Sequence, residues 1–488
     1  MASFVVEFPL KVQPFQADIL NKRFEIARII YNSLLNITQK RYKEMVKTKK
    51  YRNAIAVLQD KSKTKDDKKI AKEILKSIIM EFRFSDYSFQ ADVKQFQKVF
   101  KKNIDSTSAQ KIASRLWKSY EKYLFGNGKK LHYKKFASVT SIEGKSNTTG
   151  IRFCDNNVIW NGLNIPVMIN PKSQYENEAL TYPISYNRII RKMIKGKYKY
   201  YVQIVFKGTP PAKRNKDGSF KKCLGTGDVG LDIGTSTIAI SSNTDVKIIE
   251  LADKVQSIEN ERLKLQRKLD RSRRATNPNN YNADGTIKKQ GSKKIEWKRS
   301  KKYIKTVKKL KELYRKQASV RRYQHECLAN YIISLGDKVY VEKMNFSALQ
   351  RRAKKTEIKK NGKPKRKKRF GKSIANRAPA MLLSIIDRKL QYFNKNLVKI
   401  NTQKARASQF NHKEDSYKKK KLSQRWNNFN GVKVQRDMYS AFLIMNINPD
   451  LETFNMQKCN DRFDNFLKLH DMEVCNLKGK KNLKSIAI

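Results

Sequence analysis

The chain has 488 residues, material for roughly three domains at about 150 residues each, and 39% of them are hydrophobic, enough for cores of ordinary size. Its 108 Lys and Arg stand against 43 Asp and Glu, a formal charge of +65 that a single basic tail cannot hold, so a mini-protein is excluded and the charge is spread over folded regions. Self-repulsion of that size destabilises a compact chain unless a polyanion neutralises it, which points to nucleic acid as the partner, ahead of an anionic membrane.

Ser3 to Leu10 reads as one strand, and from Asp18 to about Lys47 apolar residues recur at helical spacing. Helical patterns continue through Ile70 to Met80 and Ala109 to Phe125, where Ile112, Leu116, Tyr120 and Tyr123 share a face and Lys and Arg take the other. That spacing favours a core role for Trp117, Tyr120, Tyr123 and Phe125 over base stacking. From about Gly126 alternating runs such as Tyr198 to Phe206 predict a small β-barrel or sheet, which the N-terminal strand joins. Pro210-Pro211 and Asn215-Lys216-Asp217-Gly218 mark a linker, with a domain boundary at about 215–226. Val255 to about Leu335 reads as two basic helices interrupted by the turn-prone run 277–285. A block of Lys and Arg fills 351–372 and reads as a mobile loop that orders on nucleic acid; a third helix is expected from about Pro379 to Lys395. The segment after Pro449 is mixed in pattern and carries no assignment.

Three carboxylates stand out against these patterns. Asp232 lies inside the apolar run Val229 to Ile240, Glu342 ends Lys338-Val339-Tyr340-Val341, and Asp437 opens Met438 to Ile444. Asp is depleted in strands and costly to bury unless it is paired or binds a metal, so these positions suggest a metal-dependent site. The acids are far apart in sequence and meet only if a ribonuclease-H-like sheet brings two strands and a helix together. Two divalent ions about 3.5–4 Å apart need several oxygen ligands, one ion activating water and the other stabilising the leaving oxygen, and Mg²⁺ suits carboxylates. The structural alternative makes Glu342 a surface acid at a strand end and Asp437 a helix N-cap. An ATPase of the same superfold would cradle phosphate at the Asp232 to Thr235 turn, but the second Asp-x-Gly turn and the glycine-rich adenosine loop are absent downstream, and the charge of +65 is unexplained.

No window approaches about 18 uncharged apolar residues, and the N-terminus lacks a secretory pattern, so a soluble, cytoplasmic protein without membrane partners is expected. Cys154, Cys223, Cys327, Cys459 and Cys475 include no C-x-x-C pair, which indicates neither a disulfide framework nor a structural zinc site. A duplex of about 20 bp supplies roughly 40 phosphates, which leaves charge over for a bound RNA.

Gly230-Leu231-Asp232-Ile233-Gly234, Val339 to Phe346 and Gln435-Arg436-Asp437-Met438-Tyr439-Ser440-Ala441 resemble, in order, the three RuvC motifs of the TnpB proteins and the type V CRISPR effectors. Arg321 to His325, Gly371 to Asn376 and Gly128 to Phe136 resemble the same family, so the resemblance runs to about Asn448. It implies an α+β multidomain chain: a ribonuclease-H-like RuvC domain plus an N-terminal β-barrel wedge domain with a helical recognition insertion. Residues 1–10 are the first wedge strand, 11–125 the recognition helices, 126–220 the rest of the wedge, 226–400 and 435–450 RuvC, 401–434 a target-nucleic-acid-binding insertion and 451–488 a C-terminal tail. Asp232, Glu342 and Asp437 become the metal-binding and catalytic acids, with Arg436 a contact to the scissile phosphate. The cofactor is two Mg²⁺, with Mn²⁺ a substitute. The implied partners are a guide RNA and double-stranded target DNA with a short adjacent motif, with single-stranded DNA a further candidate, for a prokaryotic monomer or homodimer.

The chain departs from the family where a four-cysteine zinc module normally precedes the third acid. Ala407 to His412 and Arg425 to Gly431 stand there, and no cysteine occurs between Cys327 and Cys459. No structural zinc is expected; Phe410, Trp426 and Phe429 are expected to form a small apolar core instead, and a displaced site at Cys459, His470 and Cys475 is short of the usual four ligands. His132 and His325 read as surface or core residues rather than phosphate contacts. The reading is an RNA-guided, metal-dependent DNA endonuclease, with a cleavage-deficient RNA-guided repressor as the alternative and a Holliday-junction resolvase as a third, disfavoured by the large helical insertion.

Overall fold

A computed structural model describes residues 3–125, 128, 130–211, 215, 217, 223–288, 295–351, 370–421, 424–429 and 431–478, in two compact units, Met1–Pro211 and Ala212–Ile488. Residues 216 and 218–222 of the boundary expected at 215–226, and the basic block at 351–372 apart from Arg351 and residues 370–372, lie outside the described residues.

In the first unit β1 (Ser3–Pro9) leads into the long α1 (Pro14–Lys47), followed by α2 (Lys49–Gln59), α3 (Lys65–Glu81), α4 (Asp86–Asp92), α5 (Lys94–Val99) and α6 (Ser106–Leu124). The chain then returns to strands: β2 (Ser141–Glu143), β3 (Arg152–Cys154), β4 (Asn157–Trp160), β5 (Leu163–Pro166), a short α7 (Gln174–Leu180), β6 (Ile184–Ile194) and β7 (Lys197–Lys207). One antiparallel sheet has the order β1-β7-β6-β2, so the N-terminal strand does pair with the later segment, and β3-β4-β5 form a second sheet. Proline at the first helical position starts α1 with its φ already set. Its buried Leu20, Phe24, Ala27, Tyr31 and Leu34 recur every three or four residues and face the sheets. Burying each large apolar side chain contributes about 2 kcal/mol. Arg23 ties the helix to the β4–β5 hairpin, donating to the carbonyls of Trp160 (2.7 Å) and Asn161 (2.6 Å). In α6, Tyr120 is fully buried and Trp117 packs on the same core, as their spacing predicts, whereas Phe125 is 58% exposed at the helix end.

The second unit opens with β8 (Asp228–Ile233), β9 (Thr237–Ser242) and β10 (Val246–Glu250), then the basic hairpin α8 (Val255–Thr276) and α9 (Lys301–Leu335). Next come β11 (Lys338–Glu342), α10 (Phe346–Gln350), α11 (Gly371–Arg377), α12 (Pro379–Gln391) and β12 (Val398–Ile400). The third helix thus begins at Pro379 but ends four residues before the expected Lys395; α11 precedes it, broken off at Ala378 with φ +47°. The sheet order is β10-β9-β8-β11-β12, with β8, β9 and β10 antiparallel and β8, β11 and β12 parallel.

After α13 (Thr402–Ala405) two small hairpins follow, β13 (Phe410–Asn411) with β14 (Ser416–Tyr417) and β15 (Trp426–Phe429) with β16 (Val432–Gln435). They lead into α14 (Arg436–Met445) and α15 (Met456–Lys478). Residues 438–445 of α14 are all buried, the mark of a helix enclosed on every side. The segment read as a tail is largely α15, whose Cys459, Phe463, Phe466, Val474 and Leu477 join the core of this unit. The apolar core expected at 401–434 forms: Phe410 and Phe429 are buried, Trp426 packs beside them, and Phe454, Phe463 and Tyr439 complete it. Sequence could not supply the second half of that core because it comes from elements outside the segment: Tyr439 on α14, Phe454 in the loop after it and Phe463 on α15.

His412 sits inside this aromatic cluster, 1% exposed, with its ring centroid 4.6 Å from that of Phe463. The Tyr439 hydroxyl accepts from its backbone N–H (3.1 Å) and lies 2.6 Å from its Nδ1, where it donates to the neutral ring. Burial pushes the imidazole down from 6.5 to about 4. A depressed histidine stabilises the fold fully above its unfolded value and loses that contribution as pH falls from 6.5 towards 4. We expect wild type to lose about 3 kcal/mol relative to His412→Gln across that window, measured by denaturant unfolding at stepped pH; parallel pH curves would show that His412 titrates normally.

Candidate active site

Strand register places the first two acids. Val341 pairs in parallel with Leu231, which sets Glu342 beside Asp232 at the ends of neighbouring strands about 4.8 Å apart, on the same face. The third acid arrives on α14, which lies across β8 and β9. Its approach depends on Gly230: a Cβ built there would fall 2.0 Å from the carbonyl oxygen of Ala441 and 2.5 Å from the nitrogen of Met445. Only a residue without a side chain lets the helix backbone rest on the strand and carry Asp437 to the strand ends.

Asp232, Glu342 and Asp437 are each half-buried. Burial, then the charges of Glu342 and Asp437, hold the Asp232 carboxyl well above the usual carboxylate range, while Arg436 and Arg425 oppose the shift. Both distant acids thus act on the charge of Asp232. Burial raises Glu342 to about 7. Neither Asp232 nor Glu342 hydrogen-bonds or ion-pairs with a described residue, so among the described residues these two desolvated carboxylates have no bonded countercharge.

Asp437 differs. Arg436 reaches its Oδ1 through Nε (3.1 Å) and Nη2 (3.0 Å), and Arg425 its Oδ2 through Nη1 (3.4 Å). Arg436 also donates to the carbonyl of Gln424 at 3.1 Å. In this arrangement the third carboxylate is held by guanidinium groups, and no group of three or more His, Cys, Asp or Glu side chains among the described residues forms a ready-made ion cage. The donor chemistry at Asp232 and Glu342 nonetheless fits a hard divalent cation, because both are carboxylates with no bonded partner among the described residues and a cation supplies positive charge.

The alternative placement of Asp437 as an N-cap does not hold: Gln435 caps α14, its Oε1 accepting from the backbone N–H of Asp437 (2.7 Å) and Met438 (2.9 Å), and Asp437 sits one position inside the first turn. A carboxylate there is favoured by the helix dipole. Sequence reasoning assigned no role to Arg425, which lies outside the motifs, or to Gln435, which opens the third motif and caps the helix. His325 is fully buried and donates through Nε2 to the Arg377 carbonyl at 2.6 Å, tying α9 to α11, whereas His132 is exposed. His470 is buried and Cys475 exposed; with no ion cage among the described residues, they and Cys459 do not assemble into the displaced site considered from sequence.

Charge is exposed beside the site's own unit. Lys264, Arg267, Lys268, Lys301, Lys305 and Lys308 of the α8–α9 hairpin all face solvent. No helix among the described residues is long and apolar enough to cross a membrane.

The helix-turn-helix family HTH_OrfB_IS605 matches residues 6–47, which here form the end of β1 and a single unbroken helix. No curated protein matches the chain. Among solved structures, the chain is similar to one in a Cas12f1–sgRNA–target DNA complex, with TM-score 0.42 and 10% identity over 92% of this chain and 99% of that one. It is also similar to one in a CRISPR-Cas12f ternary complex, with TM-score 0.26 and 14% identity over 90% and 82%.

Proposed function

We propose that this chain, a member of the TnpB and type V effector family by its N-terminal match and its three motifs, is an RNA-guided DNA endonuclease. Its single site is Asp232, Glu342 and Asp437. What supports the reading is the register that sets Glu342 beside Asp232 and the close approach of α14 over Gly230, which brings Asp437 towards the same strand ends. The sheet order, with three antiparallel strands flanked by two parallel ones and a buried helix across them, supports a ribonuclease-H-like RuvC domain.

Asp232 and Glu342 would hold divalent ions, Mg²⁺ or Mn²⁺, and Asp437 would join them. A bound ion pair supplies an activated water and stabilises the leaving oxygen of the phosphodiester. The chain's own residues position the groups: the paired strand ends fix the spacing of Asp232 and Glu342, and α14 delivers Asp437. Arg436 and Arg425 neutralise Asp437 here and become available to a phosphate oxygen when that carboxylate is engaged. Guide pairing reads the target and protein side chains read a short adjacent motif. The aromatic core around Phe410, Phe429 and Phe463 stabilises residues 401–434 in place of a zinc module.

The test is a purified, full-length ribonucleoprotein. A defined RNA should co-purify, and cleavage of matched duplex DNA should need Mg²⁺, stop with EDTA and return when Mg²⁺ is restored. Cleavage that survives EDTA sinks the metal assignment, and repeated recovery of RNA-free active protein sinks the guided one.

A further inference from the structure

Behind Asp437 a file of polar groups leads into α15, outside all three motifs. Gln435 is fully buried, and while its side chain caps α14, its own backbone N–H donates to Nε2 of His470 at 3.0 Å. His470 is 1% exposed, and its Nδ1 lies 2.8 Å from Oδ1 of Asp471. Since Nε2 must be bare to accept, the ring proton is on Nδ1 and is donated to Asp471, which fixes both tautomer and ring plane. Phe466 (ring centroids 5.8 Å) and Trp426 (6.2 Å) wedge the imidazole from either side.

We propose that His470 is a positioning residue for the third acid: by holding the Gln435 peptide it fixes the start of α14 and hence the direction in which Asp437 projects. This rests on the metal-site reading above. A histidine that merely filled the core would need no acceptor aimed at a backbone N–H two residues before an active-site carboxylate. Removing the acceptor leaves that N–H buried and unpaired, a cost that a shift of the β16–α14 junction relieves. Outer partners of this kind change metal affinity by about 10–100-fold.

The experiment compares full-length ribonucleoproteins: wild type, His470→Leu, His470→Gln and Leu477→Ala. Two quantities are read, the Mn²⁺ concentration for half-maximal cleavage and the Mn²⁺ bound by electron paramagnetic resonance above an Asp232→Ala background. His470→Leu should raise the half-saturating Mn²⁺ by about 10-fold or more and weaken binding in step. His470→Gln, whose Oε1 can stand where Nε2 accepts, should recover most of that loss. Leu477→Ala, which loosens the same helix two turns away from His470, should lower the melting temperature and leave the Mn²⁺ requirement alone. An unchanged requirement in His470→Leu, or an equal rise in Leu477→Ala, overturns the positioning role. If wild type itself neither binds Mn²⁺ above background nor cleaves with it, the metal-site reading fails instead.

Discussion

Asp232→Asn is expected to lower metal-dependent cleavage by about 10³-fold or more while leaving the metal-free protein as stable as wild type, or more so. Ion-held charge stabilisation contributes several kcal/mol to such a transition state, and each 1.36 kcal/mol is about tenfold in rate. The stability half of the expectation comes from the raised carboxyl. Burial and two neighbouring acids disfavour the ionised form of Asp232, and no described side chain is bonded to it. An acid raised above its unfolded value contributes stability only while protonated, and that contribution is lost as pH rises from the unfolded value through the folded one. Near neutral pH an isosteric amide therefore removes repulsion between carboxylates and leaves the packing unchanged. Cleavage assays paired with thermal melts in EDTA check both halves. A large loss of melting temperature would make Asp232 a structural residue, and retained cleavage would remove it from the site.

Gly230→Ala should act on the same site from behind. Alanine normally gains about 0.5–1 kcal/mol over glycine inside a strand. At this position the added Cβ would meet two backbone atoms of α14 at 2.0 and 2.5 Å, and backbone cannot rotate away. Overpacking costs about 1–3 kcal/mol, occasionally more, so the clash outweighs the propensity gain and the helix must lift. We expect a melting temperature lower by roughly 5–10 °C in a unit of this size. Cleavage should fall by about 10²-fold even where the protein is folded, since a displacement of about 1 Å at a catalytic group costs that much. Guide RNA retention, measured on the same preparation, should be unchanged. A variant with wild-type melting and cleavage would mean that α14 does not rest on β8 as described.

The legible parts of this chain were those written into short stretches of it. The alternation in Tyr198 to Phe206 and the helical spacing of Ile112, Leu116 and Tyr120 placed strand and helix because side-chain direction repeats every two or about 3.6 residues. The acids were legible for another local reason: a carboxylate amid Val, Ile and Leu is too costly to keep without a task. The core of the 401–434 segment was half legible, since Phe410, Trp426 and Phe429 could be named while Phe463 could not. His470 was visible only as a candidate metal ligand beside Cys459 and Cys475, and its partner proved to be a backbone N–H 35 residues away.

The sequence by itself pointed to a polyanionic class of partner, through a formal charge of +65 that no fold can hide, and singled out the three acids. Tertiary structure alone decided that Glu342 lies beside Asp232, that Arg436 and Arg425 hold Asp437, that Gln435 rather than Asp437 caps α14, and that the last helix completes the core. Propensity and periodicity act between residues a few positions apart, whereas each of these outcomes depends on which strand pairs with which and on how closely a helix can approach a glycine, and no local pattern encodes either.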